Sequence, residues 1–153
     1  MHRQSAFRRL SKWLFLVCGI WLIGLGAYFI LERPPLLPED LRYPGSSAEQ
    51  VNSLSPHFAS WLRYVFTVMG GFIAGFGVLT VFVSVHAVSN RLQGIDWAPG
   101  CAGLLAVTTM SAVNFCLDSD SKWLLLVPTA AWLLALLSFL IGSRTEQTYA
   151  NAE

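Results

Sequence analysis

Charged and apolar positions are separated along this chain into long blocks. Residues 13–31, 64–88, 98–117 and 123–141 contain no Asp, Glu, Lys or Arg, and every charge in the chain falls between or outside these four runs. Crossing the hydrocarbon core of a bilayer takes about 20 mostly apolar residues at about 1.5 Å rise each. All four runs reach that length within ordinary scatter. The pattern predicts an all-α integral membrane protein, a four-helix bundle.

The connecting segments carry their own signals. Residues 1–12 form a basic tail and residues 143–153 a second tail, flanking a transmembrane domain over residues 13–142. The long loop 32–63 opens with Pro34 and Pro35, which cannot continue a helix, and Pro38, Pro44 and Gly45 favour turns. Ser46 followed by Glu49 fits a capping box, which predicts a short helix on the outer membrane face. Ser55 before Pro56 has the pattern of an N-cap with proline in the first turn, so the second helix is expected to begin near Pro56. His57, Trp61 and Tyr64 then stand at headgroup depth, where half-wet rings are common. Asp96 is the expected cap of the third helix, whose first turn holds Pro99. The turn "DSDSK" is short enough to make helices three and four an antiparallel hairpin, and Pro128 is expected to kink the fourth.

Composition agrees with this reading, at 54% hydrophobic and 12% charged residues in 153 positions. The first run is longer than the apolar core of a secretory signal and no A-x-A site follows it, so it is read as an uncleaved helix. Arg8 and Arg9 resemble a twin-arginine signal, but Ser11 stands where an apolar residue belongs. Positive charge near the spans sets orientation, and the leading flank of the first helix usually dominates. Arg3, Arg8, Arg9 and Lys12 lie there, with Arg91 and Arg144 on the same side, against Arg33, Arg42, Arg63 and Lys122 on the other. Both termini are therefore expected in the cytoplasm. Cys18, Cys101 and Cys116 form no C-x-x-C pair, and about 22 Å of helix separates the last two, so all three are read as buried free thiols.

The second run contains "MGGFIAGFG", with Gly70, Gly71, Gly75 and Gly77 close together. A phosphate-binding loop would need free N–H groups between a strand and a helix and usually a lysine, and only apolar residues flank these glycines. At about 100° per residue, Gly70, Gly71, Ala74, Gly75 and Gly77 fall on a face about 160° wide. The pairs Gly71 with Gly75 and Gly70 with Ala74 match the small-x-x-x-small pattern of close helix approach in lipid. Helix one offers a partner face in Gly19 and Gly26, seven residues apart.

A second candidate lies in the outer half of helix three. Ser111, Asn114 and Asp118, at i, i+3 and i+7, fall within about 60° of one another on a continuous helix. Polar groups at bilayer depth are functional candidates by default, and interhelical hydrogen bonding is the simpler role for the first two. His86 stands alone near the cytoplasmic end of helix two and offers no axial pair for a haem. No run holds a carboxylate for proton-coupled transport, no ligands cluster for a metal, and a net charge of +1 gives no basic surface for nucleic acid. The basic tail suits anionic lipid.

With Gly70, Gly71 and Gly75 in helix two and Asp118 and Ser119 closing helix three, residues 60–141 resemble a family of small bacterial four-helix inner-membrane proteins. Phe76 stands where that family is expected to have tryptophan. The resemblance implies topology and a bacterial inner membrane, and no chemistry. The expected role is that of a small multi-pass accessory or structural component of a membrane assembly, working through helix packing, with the lipid bilayer, a second copy or another membrane protein as partner. The alternative is a small-molecule or lipid binder, or a channel-like oligomer, using the polar stripe of helix three. An enzyme ranks third, since no nucleophile is paired with a base and no cofactor ligand set is present.

Overall fold

The structure is a computed structural model that describes residues 2–87 and 98–150. Seven α-helices form, with no strand among the described residues: α1 (His2–Leu31), α2 (Pro38–Arg42), α3 (Ala48–Leu54), α4 (Phe58–Phe82), α5 (Ala98–Gly103), α6 (Thr109–Cys116) and α7 (Lys122–Ala150). A π-helical turn, Val83–Ala87, extends α4, and another, Leu104–Thr108, joins α5 to α6. Four stretches are long and apolar enough to cross a membrane: Arg9–Leu31, Phe58–His86, Ala98–Cys116 and Lys122–Ile141. The second starts before Arg63, because a backbone helix continues through a charged residue that a run of apolar residues stops at.

The first span is the central one. It packs along the second and the fourth, the third packs on the fourth, and among the described residues no comparable packing joins the second to the third. The interface of the first and second spans runs along nearly all of the first, from Lys12 to Ile30. Ser84, fully buried near the start of the first span, donates to the Lys12 carbonyl at 2.7 Å. At the other end the rings of Phe29 and Phe66 meet edge to face at 6.1 Å. Against the fourth span, Ser11 Oγ donates to the Ala135 carbonyl at 2.9 Å and Cys18 Sγ to the Pro128 carbonyl at 3.6 Å.

Trp132 is the point where all four spans meet. Only 4% exposed, its ring lies edge-on to Phe15 of the first span at 5.1 Å and stacks on Phe76 of the second at 5.6 Å. Its indole Nε1 donates to the Pro99 carbonyl of the third at 3.1 Å. Gly103 lies directly under the same ring, where any Cβ would overlap the indole. A large flat side chain thus fills the middle of an otherwise open row of helices, and its polar atom is satisfied, as burial in a dry interior requires.

The loop 32–63 folds differently from the pattern in its sequence. The capping box of α3 is formed by Ser47 and Gln50 and not by Ser46 and Glu49: Ser47 Oγ accepts from the Gln50 N–H at 3.2 Å, and Gln50 Oε1 accepts from the Ser47 N–H at 2.8 Å. The shift of one residue follows from the turn before it, where Gly45 takes a positive φ of 66° and the Ser46 N–H is already bonded to the Leu41 carbonyl. Ser55 does not cap α4 either; the helix starts at Phe58, with His57 before it. The expected cap Asp96 lies outside the described residues. Of the cysteines, Cys18 is buried, whereas Cys101 and Cys116 are exposed on the outward faces of the third span.

Candidate functional site

The five small residues of the second span do not share one environment. A Cβ placed on Gly70 would come within 2.7 Å of the Gly26 carbonyl oxygen, and one on Gly77 within 2.7 Å of the Gly19 oxygen. The reverse holds too: a Cβ on Gly26 would meet the Ala74 nitrogen and the Gly70 oxygen at 2.5 Å. Gly70, Ala74 and Gly77 therefore form one line of contact with Gly19 and Gly26, backbone against backbone. Gly71 and Gly75 lie about 100° further round the helix, are exposed, and, apart from their own helix backbone and chain neighbours, have no described atom within 4 Å of where a Cβ would stand. The second span carries two small-residue faces, one closed by the first span and one open.

Ser111, Asn114 and Asp118 are likewise separated by their surroundings. Ser111 is buried against the fourth span, 2.8 Å from the Leu125 carbonyl and 2.6 Å from Thr129 Oγ1, and Thr129 in turn reaches the Val107 carbonyl at 3.1 Å. Two hydroxyl protons serve three acceptors there, so one hydroxyl donates to the other and the second donates to a carbonyl. Asn114 turns back on its own helix, its Nδ2 donating to the Met110 carbonyl at 2.9 Å. Asp118 is not on the helix at all. The helix ends at Cys116, and Asp118 adopts a left-handed φ of 49°.

That geometry is a Schellman closure. The Ser119 N–H donates to the Asn114 carbonyl at 3.0 Å and the Asp118 N–H to the Phe115 carbonyl at 3.2 Å, with Asp118 at the position glycine usually fills. Aspartate is among the few L-residues that tolerate it. The kink in the chain brings the Asp118 carboxylate to the Lys122 ammonium, one turn on, and the hydrogen bond and charge of Lys122 hold its carboxyl below the usual carboxylate range. The contact is therefore complete above the ordinary Asp value of about 3.9 and is lost as pH falls through the lowered value. A carbon-13 carboxyl titration of Asp118 should give a midpoint below about 3.9, moving back up in Lys122→Gln. An unchanged midpoint in that variant would assign the shift to something other than Lys122.

Around this turn the loop between the first and second spans closes. Arg42 Nη2 uses its two hydrogens on the Asp118 carbonyl at 2.9 Å and on Asp120 Oδ1 at 3.1 Å. Ser119, 3% exposed, donates to Glu39 Oε1 at 3.1 Å. On the other side of α2, Asp40 pairs with Arg33 at 3.1 Å and accepts the Leu37 N–H at 2.9 Å, and the Arg33 guanidinium lies over the Phe66 ring at 3.4 Å. The sequence marks Arg33, Glu39, Asp40, Arg42 and Asp120 only as loop charges. His86, by contrast, stacks on Phe82 at 4.3 Å and contacts the Phe82 carbonyl at 3.1 Å through Nδ1. Among the described residues no three His, Cys, Asp or Glu side chains lie close enough together to hold a metal ion.

Four apolar helices of spanning length, joined by hydroxyl and indole donors to backbone carbonyls, define the class: an all-α chain with four helices long and apolar enough to cross a membrane. The chain matches no protein-family model, no curated protein and no solved structure.

Proposed function

We propose that this protein is a small accessory or structural component of a membrane assembly that works through helix packing, with both termini in the cytoplasm of a bacterial inner membrane. The observation that carries this reading is the open glycine face of the second span. Gly70, Ala74 and Gly77 meet the first span within the chain, and Gly71 and Gly75 point outward with nothing against them. In lipid, where apolar contact alone brings little gain, a flat face lets a second backbone approach closely enough for dispersion and Cα–H contacts to hold it. The partner is a second copy or another membrane protein. The bias of Arg8, Arg9 and Lys12 before the first span supports the orientation.

The test separates the two faces. Gly71→Leu with Gly75→Leu should reduce the size of the complex on native gels while leaving the thermal stability of the extracted chain within about 0.5 kcal/mol. Unchanged complex size with unchanged stability would sink the packing role. A binder that uses the third span ranks second, because Ser111 is engaged by Thr129 and Leu125 and Asn114 by Met110, so a ligand would have to displace these bonds.

A further inference from the structure

The outer loop is attached at its two sides by contacts of different kinds. Next to the first span, Arg33 is only 7% exposed, stacked on Phe66 and paired with Asp40. Next to the third–fourth turn the contacts are polar and only partly covered: Arg42 and Asp120 are 52% and 66% exposed, and Glu39 meets the buried Ser119 through a single hydrogen bond. Neither α2 nor α3 has a fully buried residue. At five and seven residues, both are far too short to persist as isolated helices, so their order depends on what they are docked to. Exposed ion pairs are worth little and are screened by salt, while the buried cation on Phe66 is not.

We propose that residues 34–57 act as a releasable strap, hinged at Arg33 and Phe58 and latched to the third–fourth turn through Arg42 and Glu39. Release breaks the bonds of Arg42 to Asp118 and Asp120 and of Glu39 to Ser119, uncovers Ser119 and the end of the hairpin, and leaves the four spans packed. Opening is a local event because no interspan contact passes through the latch: the spans hold one another through Trp132, the Gly19 and Gly26 contacts and the Ser11 and Ser84 bonds. The latch residues also lie on the side opposite to Lys12 and Ser84, so the strap acts at one end of the molecule only.

Hydrogen–deuterium exchange of the full chain in lipid nanodiscs, read by mass spectrometry, tests this. Amides of residues 41–57 should exchange at least tenfold faster than those of residues 66–80, as expected of a sub-global opening. Arg42→Gln should accelerate exchange in residues 41–57 and 117–122 together by roughly fivefold, with the spans unchanged, and Arg42→Lys should do so less. Raising the ionic strength from about 0.1 M to about 1 M, which shortens the screening length from about 10 Å to about 3 Å, should act in the same direction on the unaltered protein. Equal acceleration in the spans would make the contact part of the global fold, and no acceleration at residues 117–122 would show that Arg42 does not latch the turn; either result overturns the strap.

Discussion

Trp132→Ala should cost about 3 to 5 kcal/mol of stability, the range for removing a buried tryptophan, and should be the most damaging single truncation in the chain. The ring is in contact with Phe15, Phe76 and Pro99, one from each of the other spans, so its loss leaves a cavity bordered by all of them. In a bilayer the penalty is mainly lost dispersion, since lipid cannot enter a closed internal void of that size. Trp132→Phe keeps ring contacts with Phe15 and Phe76 and forfeits the bond to the Pro99 carbonyl, and should cost about 1 to 2 kcal/mol. Unfolding in detergent–denaturant mixtures measures both. Equal losses for Ala and Phe would mean that the hydrogen bond, and not the packing, makes Trp132 important.

Gly26→Val should separate the first span from the second. A Cβ there would stand 2.5 Å from the Gly70 oxygen and from the Ala74 nitrogen, and both are backbone atoms of a regular helix that cannot turn aside. Relief requires moving the helices apart, which also removes the contacts at Gly19, Gly70 and Gly77, so the loss should be about 3 kcal/mol or more. Gly71→Val, one residue from the facing Gly70, meets open space and should leave stability unchanged or slightly raised, because valine restricts the unfolded chain more than glycine does. Thermal unfolding of the two variants side by side gives the answer. A comparable loss in both would show that the open face is covered in the folded protein.

This contrast explains why the glycine face was only half legible. In a soluble helix the alternation of apolar and polar residues reveals which side is buried. In a spanning helix the side facing lipid and the side facing protein are equally apolar, and small residues spread over about 160° cannot say where the contact line runs. The line was set by the partner: Gly19 and Gly26, seven residues apart on the first span, meet Gly77 and Gly70, seven apart on the second. Trp132 was hidden for the same reason, as one apolar residue in an apolar run.

The polar stripe of the third span shows a different limit. Helical spacing places Asp118 beside Asn114 only if the helix continues, and it ends at Cys116. A left-handed aspartate then turns the chain, and what had been one angular cluster becomes a hydroxyl bonded to the fourth span, an amide bonded to its own helix and a carboxylate bonded to Lys122. Glycine at that position would have announced the stop, and aspartate does not. The latch residues Arg42, Glu39 and Ser119 are similarly far apart in sequence, and only the meeting of α2 with the third–fourth turn makes them a group.

What the sequence determined by itself was that the chain holds four apolar helices of spanning length, because length and the exclusion of charge are properties of a segment taken alone, although the charge at Arg63 hid the start of the second. The tertiary structure decided which helix lies in the centre, which glycines touch a neighbour, and where the loop between the first and second spans is fastened. Those depend on pairwise fit between surfaces that are chemically alike, and on bonds between residues as distant as Arg42 and Asp120 or Ser11 and Ala135, for which a single chain pattern holds no signal.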